Sequence, residues 1–163
     1  TTGVAGSTGN AFQFSTKPSY VNVPDKAILD PGTASYTISL KVKFSVIPPS
    51  SVGDYDLIRK GLSTTSGGSW KVEIYDTGQA LCNFRGSGGQ AQLIKGPKLN
   101  DNKWHTIVCS RTSTKVTLTV DGTAYSMTKS TGTISNSSSI IIGAKDTSGN
   151  DQFNGVLDEV VIS

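Results

Sequence analysis

The sequence predicts an all-β fold, an antiparallel two-sheet β-sandwich, and three observations support this class. Apolar and polar residues alternate with a period of two in several segments, as they do in half-buried strands. About a dozen such segments follow one another at spacings of roughly 8 to 12 residues, which is typical of sandwiches. Apolar residues never recur at the helical spacing of about 3.6 over a sustained window, so we expect almost no helix.

The first strands are predicted at residues 11–14 and 20–23, on either side of a turn at residues 16–19. Residues 24–30 have room only for a short helical turn. The clearest strand of the chain follows, because its apolar and polar residues separate onto opposite faces. In that strand, Tyr36, Ile38, Leu40, Val42 and Phe44 alternate with Thr37, Ser39, Lys41 and Lys43. The proline pair at 48–49 ends this segment.

Four further strands are predicted in the middle of the chain, at residues 56–60, 70–75, 80–85 and 90–94. The loop at residues 62–69 is rich in Gly, Ser and Thr, as mobile surface loops are. Alternation within the second of these strands separates a core set, Trp70, Val72 and Ile74, from a solvent-facing set, Lys71, Glu73 and Tyr75.

Residues 100–122 predict two hairpins that share a strand, and therefore a meander in an antiparallel sheet. The second hairpin turns at the dipeptide Asp121-Gly122, one of the strongest short signals for this structure. Val116, Leu118 and Val120 share the dry face of the return strand. The last strands are predicted at residues 123–128, 139–144 and 156–162.

Composition limits the class of protein. A chain of 163 residues can form one domain with a substantial core. The 15 basic and 12 acidic residues are scattered without a run, which is not the pattern of a nucleic-acid-binding surface. The longest apolar runs are far shorter than the ~20 residues of a membrane span, so we expect no membrane contact. Residues 1–9 are small and polar and begin abruptly. We therefore predict a linker remnant or N-terminal arm there, cut from a longer protein, and one domain over residues 10–163.

Cys82 and Cys109 are the only cysteines, and each falls within a predicted strand. They can be two buried thiols or a disulfide that joins neighbouring strands. The Gly/Ser/Thr-rich surface suggests an oxidising, extracellular location, which favours the disulfide. Two thiols and a single histidine, His105, do not match the ligand spacing of a zinc site.

Three blocks of the sequence resemble laminin-G-like domains. The first is WHTIVCSRT…VTLTVDG, which begins at Trp104; the second comprises NAFQF, SYVNVPD and SYTISLKVKF; the third is the C-terminal segment IIIGAKDTSGNDQFNGVLDEVVIS. The resemblance extends over residues 10–163 and implies a concanavalin-like jelly roll. It does not imply one function, because this fold carries lectins, adhesion modules and glycoside hydrolases.

The chain lacks the groups that catalysis would need. Glucanases that share this fold place their catalytic carboxylates on one strand as Glu-x-Asp-x-x-Glu. This chain has only two glutamates, Glu73 and Glu159, and they do not match that spacing. It also lacks the G-x-S-x-G motif of a nucleophilic serine. We therefore predict that the domain is not an enzyme.

The resemblance and the missing catalytic groups together predict a binding module. We expect a secreted or extracellular, monomeric accessory domain of a larger enzyme or surface protein, which binds a polysaccharide or oligosaccharide. The alternative is an adhesion domain of the laminin-G type, which binds a protein partner or other domains of the parent chain. A hydrolase is a third, weaker hypothesis.

Outward-facing aromatic and polar residues are the candidate ligand contacts. Most of the 12 aromatic residues have core parity, Phe12 among them, which leaves Tyr20, Tyr55 and Tyr75 as the better stacking candidates. Polar side chains near them complete the predicted site: Asp54, Asp56, Arg59 and Arg85.

Calcium is the cofactor that the resemblance implies. Its structural site would use Asp158, in the closing LDEVVIS block, together with Asn10 and Asp30, because Ca²⁺ prefers oxygen ligands. Asp158 can instead simply cap a turn. A second calcium that bridges to a ligand could use loop aspartates: Asp54, Asp146 or Asp151.

Overall fold

A computed structural model describes residues 2–163 of the chain. The strands are, in chain order, β1 (Thr2–Ala5), β2 (Asn10–Phe14), β3 (Val21–Val23), β4 (Tyr36–Lys43), β5 (Asp54–Lys60), β6 (Ser69–Tyr75), β7 (Ala80–Gly86), β8 (Gly89–Lys95), β9 (His105–Arg111), β10 (Lys115–Val120), β11 (Thr123–Thr128), β12 (Ile140–Ile142) and β13 (Gly155–Ile162). The helical content of the described residues is one short 3-10 turn, Ala27–Leu29, within the segment where a helical turn was predicted. No helix in this part of the chain is long and apolar enough to cross a membrane.

The strands form two antiparallel sheets, as predicted. Sheet A has seven strands in the order β1-β2-β13-β4-β9-β10-β11, and sheet B has six in the order β3-β12-β5-β6-β7-β8. The first and last predicted blocks lie side by side, because β13 pairs with β2. The predicted meander is β9-β10-β11. The two sheets enclose one core, to which Trp70, Phe84 and Phe153 contribute large fully buried side chains.

Hydrogen bonds at one end of the meander explain part of the sequence resemblance. The His105 ring lies between two carboxylates, with Nδ1 2.7 Å from Asp121 and Nε2 2.9 Å from Asp101. Asp121 also accepts a hydrogen bond from the Thr106 backbone amide. The turn before β9 and the hairpin after β10 are therefore held together by the histidine of the WH block.

The disulfide prediction is confirmed, but its position differs from the one expected. Cys82 and Cys109 are bonded, with their Cα atoms 5.4 Å apart. Cys82 lies on β7 of sheet B and Cys109 on β9 of sheet A, so the bond joins the two sheets and not neighbouring strands. Alternation within each strand correctly placed both sulfurs in the core but could not tell which sheet each strand joins.

The N-terminal residues are part of sheet A. β1 pairs with β2, whereas we predicted a linker or arm before Asn10. The turn after β1 packs on Asp158, whose carboxylate accepts hydrogen bonds from the backbone amides of Ser7 and Thr8. Gly6 permits this approach, since a Cβ there would lie 2.6 Å from an Asp158 oxygen. The domain boundary itself stays a prediction.

Two aromatic residues depart from strict alternation. Phe12, predicted to face the core, is 49% exposed because the buried positions of β2 are Ala11 and Phe14, three residues apart. Tyr55, predicted as a candidate for stacking, is only 7% exposed. Its ring packs edge-on against Phe153, and its hydroxyl donates to the Ile47 carbonyl oxygen.

We expect loss of the disulfide to lower stability without changing the fold. The bond spans 27 positions of the chain, and closing a loop of this length stabilises by about 3.5 kcal/mol in the chain-entropy account. The double variant Cys82→Ala with Cys109→Ala should reduce the unfolding free energy in urea by about that amount. Circular dichroism should show an unchanged β spectrum. A loss below about 1 kcal/mol would contradict this prediction.

Candidate binding groove on sheet B

A polar groove of about 360 Å³ lies on the face of sheet B that points away from sheet A. We call it the sheet B groove. The side chains most important for its chemistry are Arg59, Lys71, Glu73, Asn83, Arg85 and Gln92. Among the described residues that line it, Leu62 is the one apolar side chain, and none is aromatic.

The strand register sets these side chains in rows. Arg59 is the partner of Lys71, Lys71 of Asn83, and Asn83 of Gln92, so four strands contribute to one row. In the neighbouring row, Asp56 lies opposite Glu73. Cross-strand partners have Cβ atoms about 4.5–5.5 Å apart, so the functional groups of each row meet.

A β-bulge in β5 brings two groove residues to the same face. The register with β6 shifts between Asp56 and Ile58, which leaves Leu57 without a partner. Residues three apart normally point to opposite faces of a strand. The extra residue of the bulge reverses this, and Arg59 donates to the Asp56 carboxylate over 2.9 Å.

Ion pairs neutralise most of the charge in the groove. Besides Arg59 and Asp56, Lys145 donates to Asp151 over 2.8 Å. Lys71 forms a close ion pair with Glu73, although its geometry is not that of a hydrogen bond. Such pairs are required here because an isolated charge removed from water costs several kcal/mol.

Two facing carboxyl groups lie at the base of this region, Glu73 in the lining of the groove and Asp56 beside it as its strand partner, and neither is accessible to solvent. Asp56 and Glu73 are both 0% exposed. Burial, reinforced by the charge of Asp56, raises the pKa of Glu73 to about 8. Burial also raises the pKa of Asp56 to about 6, against the lowering effect of Arg59. Both carboxyl groups are therefore harder to ionise than usual, and the charge of Lys71 partly opposes the upward shift in the pKa of Glu73.

Amide side chains form the opposite wall of the groove. Asn83 Nδ2 donates to Gln92 Oε1 over 2.8 Å, and Gln90 Nε2 donates to the same oxygen over 3.1 Å. Arg85 donates to the carbonyl oxygens of Leu62 and Thr65, and so holds the loop beside the groove. Hydroxyl groups of a ligand can therefore find both donors and acceptors here.

Three carboxylates in this region could hold a metal ion. Asp54, Asp56 and Asp151 each offer an oxygen within 4.8 Å of the others. Calcium ligands lie about 2.3–2.6 Å from the ion, so oxygens up to about 5 Å apart can share one. One buried oxygen of Asp54 and one of Asp56 have no hydrogen-bond partner, which also fits a cation. Arg59 and Lys145 reduce the negative charge, so we expect weak affinity.

The structure brings together only part of the predicted ligand site. Asp54, Arg59 and Arg85 line the sheet B groove, and Asp56 lies beside it as the strand partner of Glu73. Tyr20 and Tyr75 are not among its lining residues, although Tyr75 is the strand partner of Asp54 (Tyr55, as described above, lies in the core).

The residues predicted for a structural calcium lie in two different places. Asn10 and Asp158 line one cleft at the edge of the sandwich. Asp30 instead accepts hydrogen bonds from Ser135 and Asn136 and pairs with Lys60. Asp146 caps its own loop through Asn150 and is separate from the three groove carboxylates.

Sequence reasoning missed several groove residues for one reason. Lys71, Asn83 and Gln92 have the parity of a solvent-facing set, and such sets were treated as ordinary surface. Glu73 was also predicted to face solvent but is fully buried, because neighbouring charged side chains cover it. The available signal was that polar residues face outward on three strands that are consecutive in the chain, β6, β7 and β8, and are therefore expected to pair. Glu159 lies on β13 of sheet A, so the two glutamates do not face each other.

We expect stability to depend on pH through Glu73. Its pKa in the folded protein, about 8, is above its ordinary value of 4.5, so the folded state binds the proton more tightly. The stabilisation is complete below about pH 4.5 and is lost as pH rises to about 8. In calcium-free buffer, Glu73→Gln should therefore gain stability relative to the native chain across this range. Urea unfolding at several pH values measures the difference, and parallel curves would refute the prediction.

Solved structures with the same fold include binding domains of very different proteins. Domains LG4-5 of the mouse laminin alpha1 chain superpose with a TM-score of 0.72 at 19% identity, covering 94% of this chain and 40% of that one. The binding domain of Paraclostridial Mosquitocidal Protein 1 superposes with a TM-score of 0.77 at 20% identity, covering 98% of this chain and 41% of that one. The binding domain of botulinum neurotoxin serotype D superposes with a TM-score of 0.69 at 17% identity, covering 94% of this chain and 38% of that one. The chain thus spans about 40% of these structures, and at such identities the likeness shows the fold alone.

The sequence itself matches a family model. Residues 15–163 match Laminin_G_3, described as the concanavalin A-like lectin/glucanases superfamily. No curated protein matches the sequence. Laminin-G-like domains are non-catalytic binding modules. The chain therefore belongs to the laminin-G-like family of the concanavalin A-like superfamily, and it is a binding module.

Proposed function

We propose that the domain is a secreted accessory module of a larger enzyme or surface protein. It binds a polysaccharide or oligosaccharide in the sheet B groove. The observation that carries this proposal is the convergence of amide, carboxyl, ammonium and guanidinium groups from four strands in one open groove. Saccharides present many hydroxyl groups, and each needs a donor or acceptor once water is displaced.

A rigid support favours this use of the groove. The side chains project from paired strands and not from loops, and hydrogen bonds between them fix their orientation. Preorganised groups bind with a smaller loss of conformational entropy. The disulfide between the sheets and the extracellular setting typical of laminin-G-like domains support secretion.

An adhesion domain is the second candidate function, and a different surface favours it. An apolar cleft of about 270 Å³ lies at the edge of the sandwich, lined by Phe12, Phe14, Val21, Leu157 and Val160 among others. Phe12 is 49% exposed there. Exposed apolar surface of this kind suits a protein partner or another domain of the parent chain.

Affinity electrophoresis in gels that contain plant, fungal and bacterial polysaccharides tests the first candidate. Retardation by at least one polysaccharide is expected. The double variant Gln90→Ala with Gln92→Ala removes exposed amides from the groove and should weaken that binding roughly tenfold. Thr119→Ala, on β10 of sheet A, should leave it unchanged. A groove variant that binds as tightly as the native domain would refute the assignment of the site.

Calcium is a separate part of the proposal. We place it at Asp54, Asp56 and Asp151, whose spacing and unpartnered oxygens fit a hard cation. Bound there, calcium would supply a positive charge to which ligand oxygens can also bind. The predicted structural site at Asp158, Asn10 and Asp30 stays a prediction.

Thermal denaturation with and without calcium tests this placement. With a dissociation constant on the order of 1 mM, about 10 mM calcium stabilises a protein by about 1.4 kcal/mol. Asp54→Asn with Asp151→Asn should abolish the increase in melting temperature, and Asp76→Asn should preserve it. If the native domain shows no increase, calcium is excluded at this site while saccharide binding stands.

A further inference from the structure

The lining of the sheet B groove restricts the kind of saccharide that fits it. Among the described residues, no aromatic ring lines it, so a sugar cannot gain stacking energy there. Neutral hydrogen bonds contribute little net energy, because each replaces a bond to water. Hydrogen bonds to charged groups are roughly twice as strong. A ligand with its own charge would therefore gain most from this groove.

Arg85 differs from the other basic residues of the groove. Arg59, Lys71 and Lys145 each have a carboxylate partner. Arg85 has none within the described part of the chain. It donates through one terminal nitrogen to two carbonyl oxygens, and its Nε has no partner. A guanidinium group has five N–H donors in a planar fork that matches carboxylate and sulfate oxygens.

The ion pairs of the groove leave Arg85 as the basic group that is available to an anion. Four basic side chains line the groove: Arg59, Lys71, Arg85 and Lys145. Arg59 pairs with Asp56, Lys71 with Glu73, and Lys145 with Asp151. An anionic group of a ligand can therefore bind Arg85 without displacing an ion pair of the protein.

We propose that the ligand of the sheet B groove is an acidic saccharide, whose carboxylate or sulfate group pairs with Arg85. The proposal rests on the proposed function and narrows it to one chemical class. Leu62, 43% exposed at the edge of the groove, gives the sugar ring its one apolar contact. The ion pair fixes the register of the saccharide, and the amides of Asn83 and Gln92 bind its hydroxyl groups.

Two matched pairs of polymers test the proposal by affinity electrophoresis and calorimetry. Polygalacturonate against its full methyl ester tests a carboxylate source, and dextran sulfate against dextran tests a sulfate source. We expect one acidic member to bind at least about tenfold more tightly than its neutral partner, with an affinity that falls as salt rises. Arg85→Gln should weaken that binding about tenfold, and Arg85→Lys should restore part of it. Lys115→Gln, on sheet A, should have no effect.

The possible outcomes separate this inference from the proposed function. Equal binding of acidic and neutral members, or native affinity in Arg85→Gln, overturns the acidic class while saccharide binding stands. Retardation by none of these polymers, nor by the wider polysaccharide panel, overturns both. Arg85 also supports the loop at residues 62–65, so circular dichroism must show that both variants are folded. If they are not, salt dependence of the native domain decides: affinity for the acidic polymer that binds, polygalacturonate or dextran sulfate, refutes the ion pair if it is unchanged by salt.

Discussion

One extra residue in β5, the β-bulge at Leu57, determines which side chains of that strand face the core and which face the groove. The bulge at Leu57 lets Leu57 and Ile58 both enter the core, although they are adjacent in the chain. It also places Asp56 and Arg59 on the same outer face. Without it, either the acid or the base would point between the sheets, where it would lack a partner and cost several kcal/mol. The ion pair between Arg59 and Asp56 thus depends on this single shift of register.

The same shift turns the Lys60 side chain inward, where its buried ammonium group finds charged and hydrogen-bonding partners. Its ammonium group pairs with Asp25 and Asp30 and donates to the carbonyl oxygens of Asn136 and Ser138. These partners lie in the segments before β4 and before β12, so a buried charge ties two connections to the end of β5. The bulge therefore has two consequences. On the outer face it lets Arg59 pair with Asp56 beside the groove, and on the inner face it lets Lys60 hold the two connecting segments in place.

The sequence predicted the architecture better than the site, and the reason is physical. Alternation and turn signals act within one strand or hairpin, so the all-β class, the meander and the burial of Val116 followed from local patterns. The groove arises from pairing between strands, which local patterns do not encode. Lys71 and Gln92 looked like ordinary surface, because nothing in their own strands shows that they meet in one row. The bulge left no signal in DLIRK, so Asp56 and Arg59 could not be assigned to one face.

The way the groove is built implies how it discriminates among ligands. A site that relies on stacking tolerates many sugars, since every ring has an apolar face. A site built from buried polar groups rejects a ligand that lacks the matching hydroxyl or charge, because the unpaired group then loses its bond to water without replacement. Lys71, Arg85 and Gln92 line the groove and are partly or fully open to water, so a ligand that covers them without pairing them pays this cost. The groove should therefore gain its selectivity mainly by excluding the wrong pattern of polar groups, and only secondarily by tight binding of the right one.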